Sequence, residues 1–439
     1  MAQESVTLPR LRDIGRSEHA RRHDNSLRGA AHVIAAATVG SVLDWYDFGI
    51  FAFFSNAISH NFFAQDGRNT GLFLTFLIFG CGFTARPIGG LIIGRIGDRI
   101  SRRTALIVSI IVMGGGTLGL AVLPGRSTIG EAAPFLLLIA RLMQGLAAGG
   151  EWGGAATFIV EAAPLGKRGL YGGIHEVSAI LGPVLALGVA SMVASIYSAE
   201  AINSWAWRLP FLIGALLIPV GFYCRLRIME TPVPHADVAE EVRMVHDVTG
   251  PFFRAFSLVA PIFAVFYTLF YFPTLTQTYL GLSARASLWA NTAACIGMMS
   301  VILPAAVLSD RVGRRPMTIC AYILIALATP VLFWEIAHTT SVAGVTIIEL
   351  LYALAAGLLA GPFPATLCEL FPARSRLTGI ALAYNVAGAL FGGFTPLILT
   401  ATINYFHTVT VACAVSVFSV ILGLAVMLKA KETAFTSLP

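Results

Sequence analysis

Long apolar stretches alternate with short polar segments along most of the chain, from about residue 31 to residue 428. A helix needs about 20 mostly apolar residues to cross a bilayer, so each stretch of that length is a candidate membrane span. The pattern predicts twelve spans, which cover residues 31–57, 70–95, 105–123, 132–161, 169–194, 206–226, 252–279, 287–308, 317–337, 342–367, 377–402 and 406–428. The sequence therefore predicts an all-α polytopic membrane protein.

Polar segments divide this pattern into two halves of six spans each. The longest internal polar segment contains Pro232 and Pro234, which predict a break, followed by charged residues that predict a short surface helix. The predicted parts are, in chain order, a basic cytoplasmic tail at 1–30, an N-terminal six-helix half at 31–226, a cytoplasmic central loop at 227–250, a C-terminal six-helix half at 251–429 and a cytoplasmic tail at 430–439. The first tail lacks the apolar stretch of a cleavable signal peptide.

The distribution of charge supports this topology. Hydrophobic residues make up 56% of the chain and charged residues only 12%, whereas about a quarter of the residues in a soluble protein are charged. The predicted cytoplasmic segments contain 23 of the 29 lysine and arginine residues, and the predicted outer loops contain four. This bias places both termini in the cytoplasm, and we expect the cytoplasmic membrane of a bacterium. The sequence contains no basic stripe interleaved with aromatic residues, so nucleic-acid binding is not expected.

The sequence lacks the motifs that several other classes of protein require. The six cysteines form no CxxC pair, so neither a disulfide nor a metal site is expected. The chain contains no HExxH, GxSxG or phosphate-binding loop motif, so no enzyme activity and no cofactor are expected. No pore-loop segment separates two spans, which argues against a channel.

Two motifs occur once in each predicted half. The pattern D-R-x-x-R-R follows span 2 at residues 98–103 and span 8 at residues 310–315, and E-x-x-P-x-x-x-R closes span 4 at residues 161–168 and span 10 at residues 369–376. Basic clusters in tight loops can be topology signals alone, but acidic residues contribute little to topology. Self-similar halves are typical of secondary transporters, which bind substrate between the repeats.

The D-R-x-x-R-R loops resemble the signature loop of the major facilitator superfamily. Further segments are similar to its metabolite:proton symporters, which include carriers of citrate, α-ketoglutarate, shikimate and proline or betaine. These segments are Asp44-Trp-Tyr-Asp47-Phe, Arg86-Pro-Ile-Gly, Arg141-x-x-Gln144-Gly145, Trp207-Arg208-x-Pro210-Phe and Phe391-Gly-Gly. The resemblance implies twelve helices in two pseudo-symmetric halves, alternating access and a monomer in the lipid bilayer. In the family, a glycine usually precedes the arginine pair that ends this motif. It is present at Gly313 in the second loop but replaced by Ser101 in the first.

Acidic residues inside the spans are candidate proton carriers, because buried ionisable groups in membranes usually mark a pathway or a pair. Asp44 and Asp47 lie three residues apart on one face of span 1, where each would raise the proton affinity of the other. The alternative is that each is a structural partner of a buried arginine. Glu151, deep in span 4, is the third candidate for proton coupling.

Arg141 is the main candidate for substrate binding, because its permanently charged fork lies about ten residues into span 4 and matches a carboxylate. The alternative is a permanent ion pair with Asp44 or Asp47; substrate could also displace that partner, which would then take a proton. Arg86 is expected to reach the cytoplasmic surface or to pair with Glu161. Further candidate substrate contacts are His175, Tyr267 and Asn385, for which interhelical packing is the alternative.

The charged residues at the repeated motifs predict a cytoplasmic gate that holds the two halves together when the site opens outward. Isolated ion pairs are weak, so only a network of them could bias the conformational equilibrium. The predicted gate residues are Asp98, Arg102, Glu161, Arg168, Asp310, Arg314, Glu369 and Arg376.

The preferred hypothesis is symport of a small organic anion with protons, and a di- or tricarboxylate such as citrate is favoured. Residues 283–288 and the tyrosines of span 7 are similar to citrate-type members of the family. A zwitterion such as betaine or proline is a second possibility. Drug:proton antiport is a third, suggested by Gly182-Pro183 in span 5, but a lipophilic cation would not suit Arg141.

Overall fold

The computed structural model of the protein describes residues 40–63, 68–226, 238–339, 341–373 and 375–438. Within these ranges the chain is helical and contains no strand, as predicted. Eleven of its helices are long and apolar enough to cross a membrane, and they correspond to predicted spans 2 to 12. The helix of span 1 enters the described part of the chain at residue 40.

We number the membrane helices in chain order. They are α1 (residues 40–53 and Ser55–Phe63), α2 (Arg68–Arg99), α3 (Arg102–Val122), α4 (Ala132–Ala148 and Glu151–Glu161), α5 (Arg168–Ile196), α6 (Leu209–Leu226), α7 (Val238–Tyr279), α8 (Ala284–Val312), α9 (Arg314–His338), α10 (Val342–Ala360 and Phe363–Cys368), α11 (Arg376–Ala387, the π-helical Gly388–Gly393 and Thr395–Phe406) and α12 (Cys413–Lys429). Short helices at Arg126–Ile129, Ala199–Ser204, Ala206–Arg208 and Thr410–Ala412 connect some of them.

Several predicted spans are interrupted rather than continuous. α4 breaks at Gly149 and Gly150, and α10 breaks at Gly361 and Pro362. Glycine lowers helix propensity and proline lacks the N–H that a helix needs, but neighbouring helices tolerate such breaks in a membrane protein. The predicted extents of these two spans are confirmed, at Ala132–Glu161 and Val342–Cys368, but an apolar pattern does not report where a helix is interrupted.

Two predicted boundaries also differ. The last span starts later than residue 406, because His407 adopts a left-handed conformation, with φ of 54°, that ends α11. The surface helix predicted after Pro232 and Pro234 is continuous with span 7, since α7 is one 42-residue helix that begins at Val238. The predicted break itself and the tail at residues 1–30 lie outside the described residues.

α2 and α4 pack with their backbones in contact. A Cβ atom on Gly145 would lie 1.8 Å from the carbonyl oxygen of Gly82, and one on Gly149 would lie 2.1 Å from that of Arg86. Glycine is therefore required at these positions, since any side chain would push the helices apart. The close approach brings Arg86 on α2 and Arg141 on α4 into one layer of the protein.

The two six-helix halves meet along several helices. Oγ of Ser55 on α1 and Oγ1 of Thr274 on α7 lie 2.9 Å apart, and α5 packs closely on α8. In α7, 94% of the most apolar 18-residue stretch is buried, compared with 33–56% in the other ten helices. α7 is thus a central helix, and these ten helices each leave a larger part of their surface exposed.

Candidate functional site

Arg141 lies at the centre of the molecule and is fully buried. Its guanidinium carbon is 4.6 Å from the ring centre of Phe48, 4.3 Å from that of Phe51 and 5.1 Å from that of Phe79, within the range of cation–π attraction. Nη1 donates to Oε1 of Gln144 over 2.6 Å. Nε and Nη2 have no hydrogen-bond partner in the described part of the chain. Nε and Nη2 form one edge of the guanidinium, which is the edge that a carboxylate engages with two parallel hydrogen bonds.

Arg86 is the second buried cation, with only 3% of its surface exposed. Its guanidinium carbon lies 5.1 Å from the ring centre of Trp45, 5.2 Å from that of Phe48 and 5.0 Å from that of Phe83. Among the described residues, Nε and Nη1 have no hydrogen-bond partner. The expectation that Arg86 reaches the surface or pairs with Glu161 was wrong, because the α2–α4 contact turns it inward and Glu161 pairs elsewhere.

An aromatic wall surrounds the two guanidinium groups and includes residues from both halves. Phe48 contacts both Arg86 and Arg141. From the other half, the ring of Tyr267 on α7 lies 5.3 Å from Phe83 and 5.7 Å from Phe79. These rings exclude water, which strengthens every electrostatic interaction of the arginines. The predicted substrate contact Tyr267 therefore lies next to the predicted substrate contact Arg141.

Asp47 is connected to Arg141 by a chain of side chains. Nε2 of Gln144 donates to Oγ1 of Thr117 over 3.0 Å, and the Thr117 hydroxyl donates to Oδ2 of Asp47. Together with the bond from Arg141 to Gln144, this gives a continuous path from the guanidinium to the carboxyl. The path runs through α3 and α4, so the alternative of a direct ion pair between Asp47 and Arg141 does not describe this conformation.

The other two candidate proton carriers differ in position. Asp44 is buried one helical turn before Asp47 on α1. Glu151 is half-buried at the start of the second segment of α4, where its Oε1 accepts from Oγ of Ser109 on α3 over 2.9 Å. The structure therefore brings Asp47 and Arg141 together through their hydrogen bonds, whereas Glu151 points toward α3.

A second aromatic layer lies between this cluster and the helix ends that carry the repeated charged motifs. Trp152 on α4 stacks on Tyr384 on α11, with 4.0 Å between ring centres and 4° between the planes. His175 is buried on α5 with its ring centre 5.2 Å from that of Trp152. Asn385 donates from Nδ2 to the carbonyl oxygen of Gly149 in the opposite half. The predicted contacts His175 and Asn385 thus lie one layer away from Arg141, at the junction of the two halves.

The repeated charged motifs of the second half make direct contacts with the first half. The carboxyl of Asp310 accepts from the backbone N–H of Gly169 over 2.8 Å and from that of Leu170 over 2.9 Å. Asp310 thereby caps the N-terminus of α5, where the helix dipole favours negative charge. It also pairs with Arg314, whose Nη2 lies 2.8 Å from Oδ1.

Two further acidic residues complete these contacts. Oε1 of Glu369 lies 3.4 Å from Nη2 of Arg314 and 3.8 Å from Nη1 of Arg168 on the opposite half. Glu161 pairs across the halves with Arg376, whose Nε also donates to the carbonyl oxygens of Cys368 and Phe371. Six of the predicted gate residues thus form contacts at this end. The side chains of the other two, Asp98 and Arg102, lie outside the described residues.

The C-terminal segment adds a component to this network that the sequence did not reveal. Glu432 accepts from the backbone N–H groups of Arg314 and Arg315 at the start of α9, over 2.9 Å and 3.0 Å. Burial alone would raise the pKa of Glu432, but hydrogen bonds from four backbone N–H groups outweigh it and lower the pKa. Nη1 of Arg168 also donates to the carbonyl oxygen of Thr436 over 2.8 Å.

The aromatic wall and Thr117 were also missed by sequence reasoning. A usable signal for the wall was present: Phe48 and Phe51 are three residues apart, as are Phe76 and Phe79, and Phe83 follows four residues later. Such spacing places the rings on one helical face. Phenylalanine on a membrane helix is ordinary, however, and the side facing an arginine is visible only in the fold. For Thr117 no signal existed in the sequence.

Comparisons with known proteins agree with this architecture. Residues 33–240 match the family model described as "Sugar (and other) transporter", and residues 255–437 match that of the major facilitator superfamily. The chain is 35% identical to the citrate-proton symporter of Salmonella typhi over 86% of this chain and 89% of that protein. It is also 35% identical to the α-ketoglutarate permease of Escherichia coli strain K12, over 82% of this chain and 84% of that one.

A solved structure shows the same fold. The xylose transporter of E. coli, in a partially occluded inward-open conformation, superposes with a TM-score of 0.76 at 18% identity, over 93% of this chain and 99% of that chain. The chain belongs to the major facilitator superfamily. It is a membrane transporter built from two six-helix halves, and not an enzyme.

Proposed function

We propose that the protein imports a small organic anion with two or three carboxylates, such as citrate, together with protons, by alternating access in the bacterial cytoplasmic membrane. In the proposed topology both termini lie in the cytoplasm, because the lysine and arginine residues concentrate in the segments on the same side as the termini. The proposed working unit is a monomer, with substrate bound between its halves.

The observation that carries this proposal is the free edge of Arg141. A guanidinium stays charged at any physiological pH, and a buried charge without a partner is costly. Nε and Nη2 of Arg141 nevertheless have no partner among the described residues. A carboxylate from the substrate would supply both missing hydrogen bonds and the opposite charge.

Arg86 supports a substrate with more than one carboxylate. Two guanidinium groups that share Phe48 repel each other and together favour an anion with at least two negative charges. A lipophilic cation would add to this repulsion, which disfavours drug antiport. A zwitterion would engage Arg141 but leave the charge of Arg86 without a match. The relatives named for citrate and α-ketoglutarate are consistent with a polycarboxylate.

The chain from Arg141 to Asp47 supports coupling to protons. A substrate carboxylate on the free edge of Arg141 would weaken the bond from Nη1 to Gln144, because the guanidinium charge is then shared. Gln144 and Thr117 would reorient, and Asp47 would lose part of its stabilisation as an anion and bind a proton. Asp44 is the neighbouring candidate for the same role, and Glu151 remains a third proposed proton carrier. His175, Tyr267 and Asn385 are proposed to line the substrate path.

The cytoplasmic contacts support a gate. Asp310 and Glu369 on one half bond to α5 on the other, and Glu161 pairs with Arg376 across the same boundary. These bonds must break before the cytoplasmic side can open. We propose that Asp98 and Arg102, at the equivalent loop of the first half, act in the same gate.

The test uses the full-length protein in liposomes that contain a pH-sensitive dye. Citrate, α-ketoglutarate, betaine, proline and cationic drugs are added outside, one at a time. Acidification of the lumen by a di- or tricarboxylate, lost in Arg141→Ala and retained in Arg126→Ala, is expected. Arg126 is a matched control because it pairs with Glu131 in a short helix outside the aromatic layer.

Two other outcomes would contradict the proposal. Acidification by betaine or proline alone would identify a zwitterion symporter. Alkalinisation of the lumen by a cationic drug under an inward acid gradient would identify an antiporter and remove the role of Arg141.

A further inference from the structure

Glu349 is a buried acid of the C-terminal half that the proposed coupling path does not use. It lies on α10 and none of its surface is exposed. Its Oε2 accepts one hydrogen bond, from Nδ2 of Asn291 on α8 over 3.0 Å, and its Oε1 has no partner in the described part of the chain. A carboxylate with a single donor at this depth would be strongly destabilised, so Glu349 holds a proton in this conformation.

The surroundings of Glu349 contain no compensating cation. No lysine, arginine or histidine forms an ion pair with it among the residues that the structure describes. The titratable group that faces it from α8 is the thiol of Cys295, which is also buried. On its own helix, Tyr352 lies three residues away and bonds to Ser416 on α12 and to the carbonyl oxygen of Val265 on α7. The charge state of Glu349 therefore depends on its own proton.

Asn291 connects Glu349 to a position in α7 where a backbone hydrogen bond of the helix is missing. Its Nδ2 also donates to the carbonyl oxygen of Leu269 over 2.9 Å. That oxygen would normally accept from the backbone N–H four residues later, but residue 273 is proline and has no N–H. The two hydrogens of one amide group thus join the carbonyl that Pro273 leaves without its helical partner in α7 to the carboxyl of Glu349.

The part of α7 around Leu269 and Pro273 lies next to the substrate site. Tyr267, two residues before Leu269, packs on Phe79 and Phe83 beside the two guanidinium groups, and Phe270 packs on Tyr267 with 5.7 Å between ring centres. A change in the bend of α7 at Pro273 would move these rings relative to Arg141. Since α7 is the most enclosed helix, such a change would be transmitted to both halves.

We propose that Glu349 binds a transported proton. We propose further that Asn291 transmits the change in charge of Glu349 to α7, which then bends at Pro273. When the O–H bond of Glu349 breaks and the proton passes to water, the carboxylate draws the amide of Asn291 away from Leu269. The freed carbonyl oxygen then allows α7 to change its bend at the proline. Glu349 is the proton-binding group and Asn291 a positioning residue. This inference rests on the proposed proton symport, which it extends to the second half.

The test compares Glu349→Gln with Glu335→Gln in liposomes. Glutamine mimics the protonated acid, so the variant keeps the hydrogen bond from Asn291 and should fold. Glu335 is the matched control, because it is an exposed glutamate on the adjacent helix α9. Glu349→Gln should exchange labelled substrate across the membrane within about twofold of wild type. Its proton-driven accumulation should fall by about tenfold or more, since one protonation step is lost.

A second measurement does not depend on transport rates. The substrate-induced infrared difference spectrum of the wild type should contain a C=O band of a protonated carboxyl that Glu349→Gln lacks and Asp47→Asn keeps. Asn291→Ala should keep that band but shift the pH profile of exchange, as expected for a positioning residue. A structural role for Asn291 would lower exchange equally at every pH.

The possible failures are distinguishable. If the wild type moves protons with substrate and Glu349→Gln does so equally well, Glu349 is a permanently protonated structural acid and this inference is overturned. If the wild type moves substrate without protons, the proposed symport fails and this inference fails with it.

Discussion

The arginines at the centre of the molecule and those at the repeated charged motifs are equally buried but differ in how their hydrogen bonds are satisfied. At the motifs, Arg314 bonds to Ser309, Asp310 and Glu369 and leaves one nitrogen, Nε, without a partner among the described residues. Arg376 bonds to Glu161 and two backbone carbonyls. At the centre, Arg86 and Arg141 rest on aromatic rings, and two nitrogens of each have no partner within the described residues.

This difference separates two uses of the same side chain. A guanidinium paired with carboxylates holds elements together, and its energy is already present in this conformation. A guanidinium held by rings keeps its donors available, because a π face stabilises the charge without accepting the N–H groups in the plane. The central pair is therefore suited to an incoming anion, and the arginines of the motifs are suited to a contact that breaks and re-forms.

The largest expected effect is at Arg141. Arg141→Lys retains the charge but loses the two-point edge, so uptake of the carboxylate should fall about 100-fold or more, as expected for a lost bidentate charge pair. Arg126→Lys, at a pair with the exposed Glu131 and outside the aromatic wall, should transport normally. The measurement is initial uptake of labelled substrate at equal protein content. Normal uptake by Arg141→Lys would show that the two-point contact is not made.

Arg86 should come next, with an effect that depends on the substrate. Arg86→Gln should weaken binding of a dicarboxylate about tenfold, the loss of one charge-assisted contact, and leave a monocarboxylate analogue nearly unchanged. Competition of each compound against labelled substrate gives both affinities. An equal loss for both compounds would instead mean that Arg86 supports the site without contacting the second carboxylate.

The gate should give a smaller effect on a different quantity. Asp310→Asn weakens the cap on α5 and the pair with Arg314, so turnover should change by about three- to tenfold while substrate affinity stays within about twofold. Glu131→Gln, in the exposed pair with Arg126, is the matched control. Exchange and binding measured on the same samples separate the two quantities. Unaltered turnover in Asp310→Asn would contradict a gating role.

The smallest effect should be at Glu432, and it should depend on pH. Its pKa in the folded protein is lower than the ordinary value of 4.5. Its stabilising contribution is therefore fully present above that ordinary value and is lost as the pH falls through the lowered one. Thermal unfolding in detergent should show Glu432→Gln slightly less stable than wild type at pH 7 and equal to it in strong acid. A difference that persisted in strong acid would exclude this ionisation as its source.

Much of the fold was predictable, because the constraint that creates it is local. A membrane requires long apolar segments and internal backbone bonding, so span count and helical class follow from the run of side chains. The interruptions at Gly149 in α4 and Gly361 in α10 were not predictable, since glycine occurs in many membrane helices without a break. The same holds for Glu432, whose partners lie over a hundred residues away.

The sequence by itself determined that this protein lies in a membrane, that it has two related halves and which family it resembles. These properties depend on composition, segment length and motifs that repeat at a near-constant offset. It also identified Arg141 and the charged motifs as candidate sites. Only the tertiary structure decided which charges meet: that Arg86 turns inward, that Asp47 reaches Arg141 through Gln144 and Thr117, and that Glu369 faces Arg168. The physical reason is that a side chain's energy in a low-dielectric interior depends on neighbours a few ångströms away, and those neighbours come from distant parts of the chain.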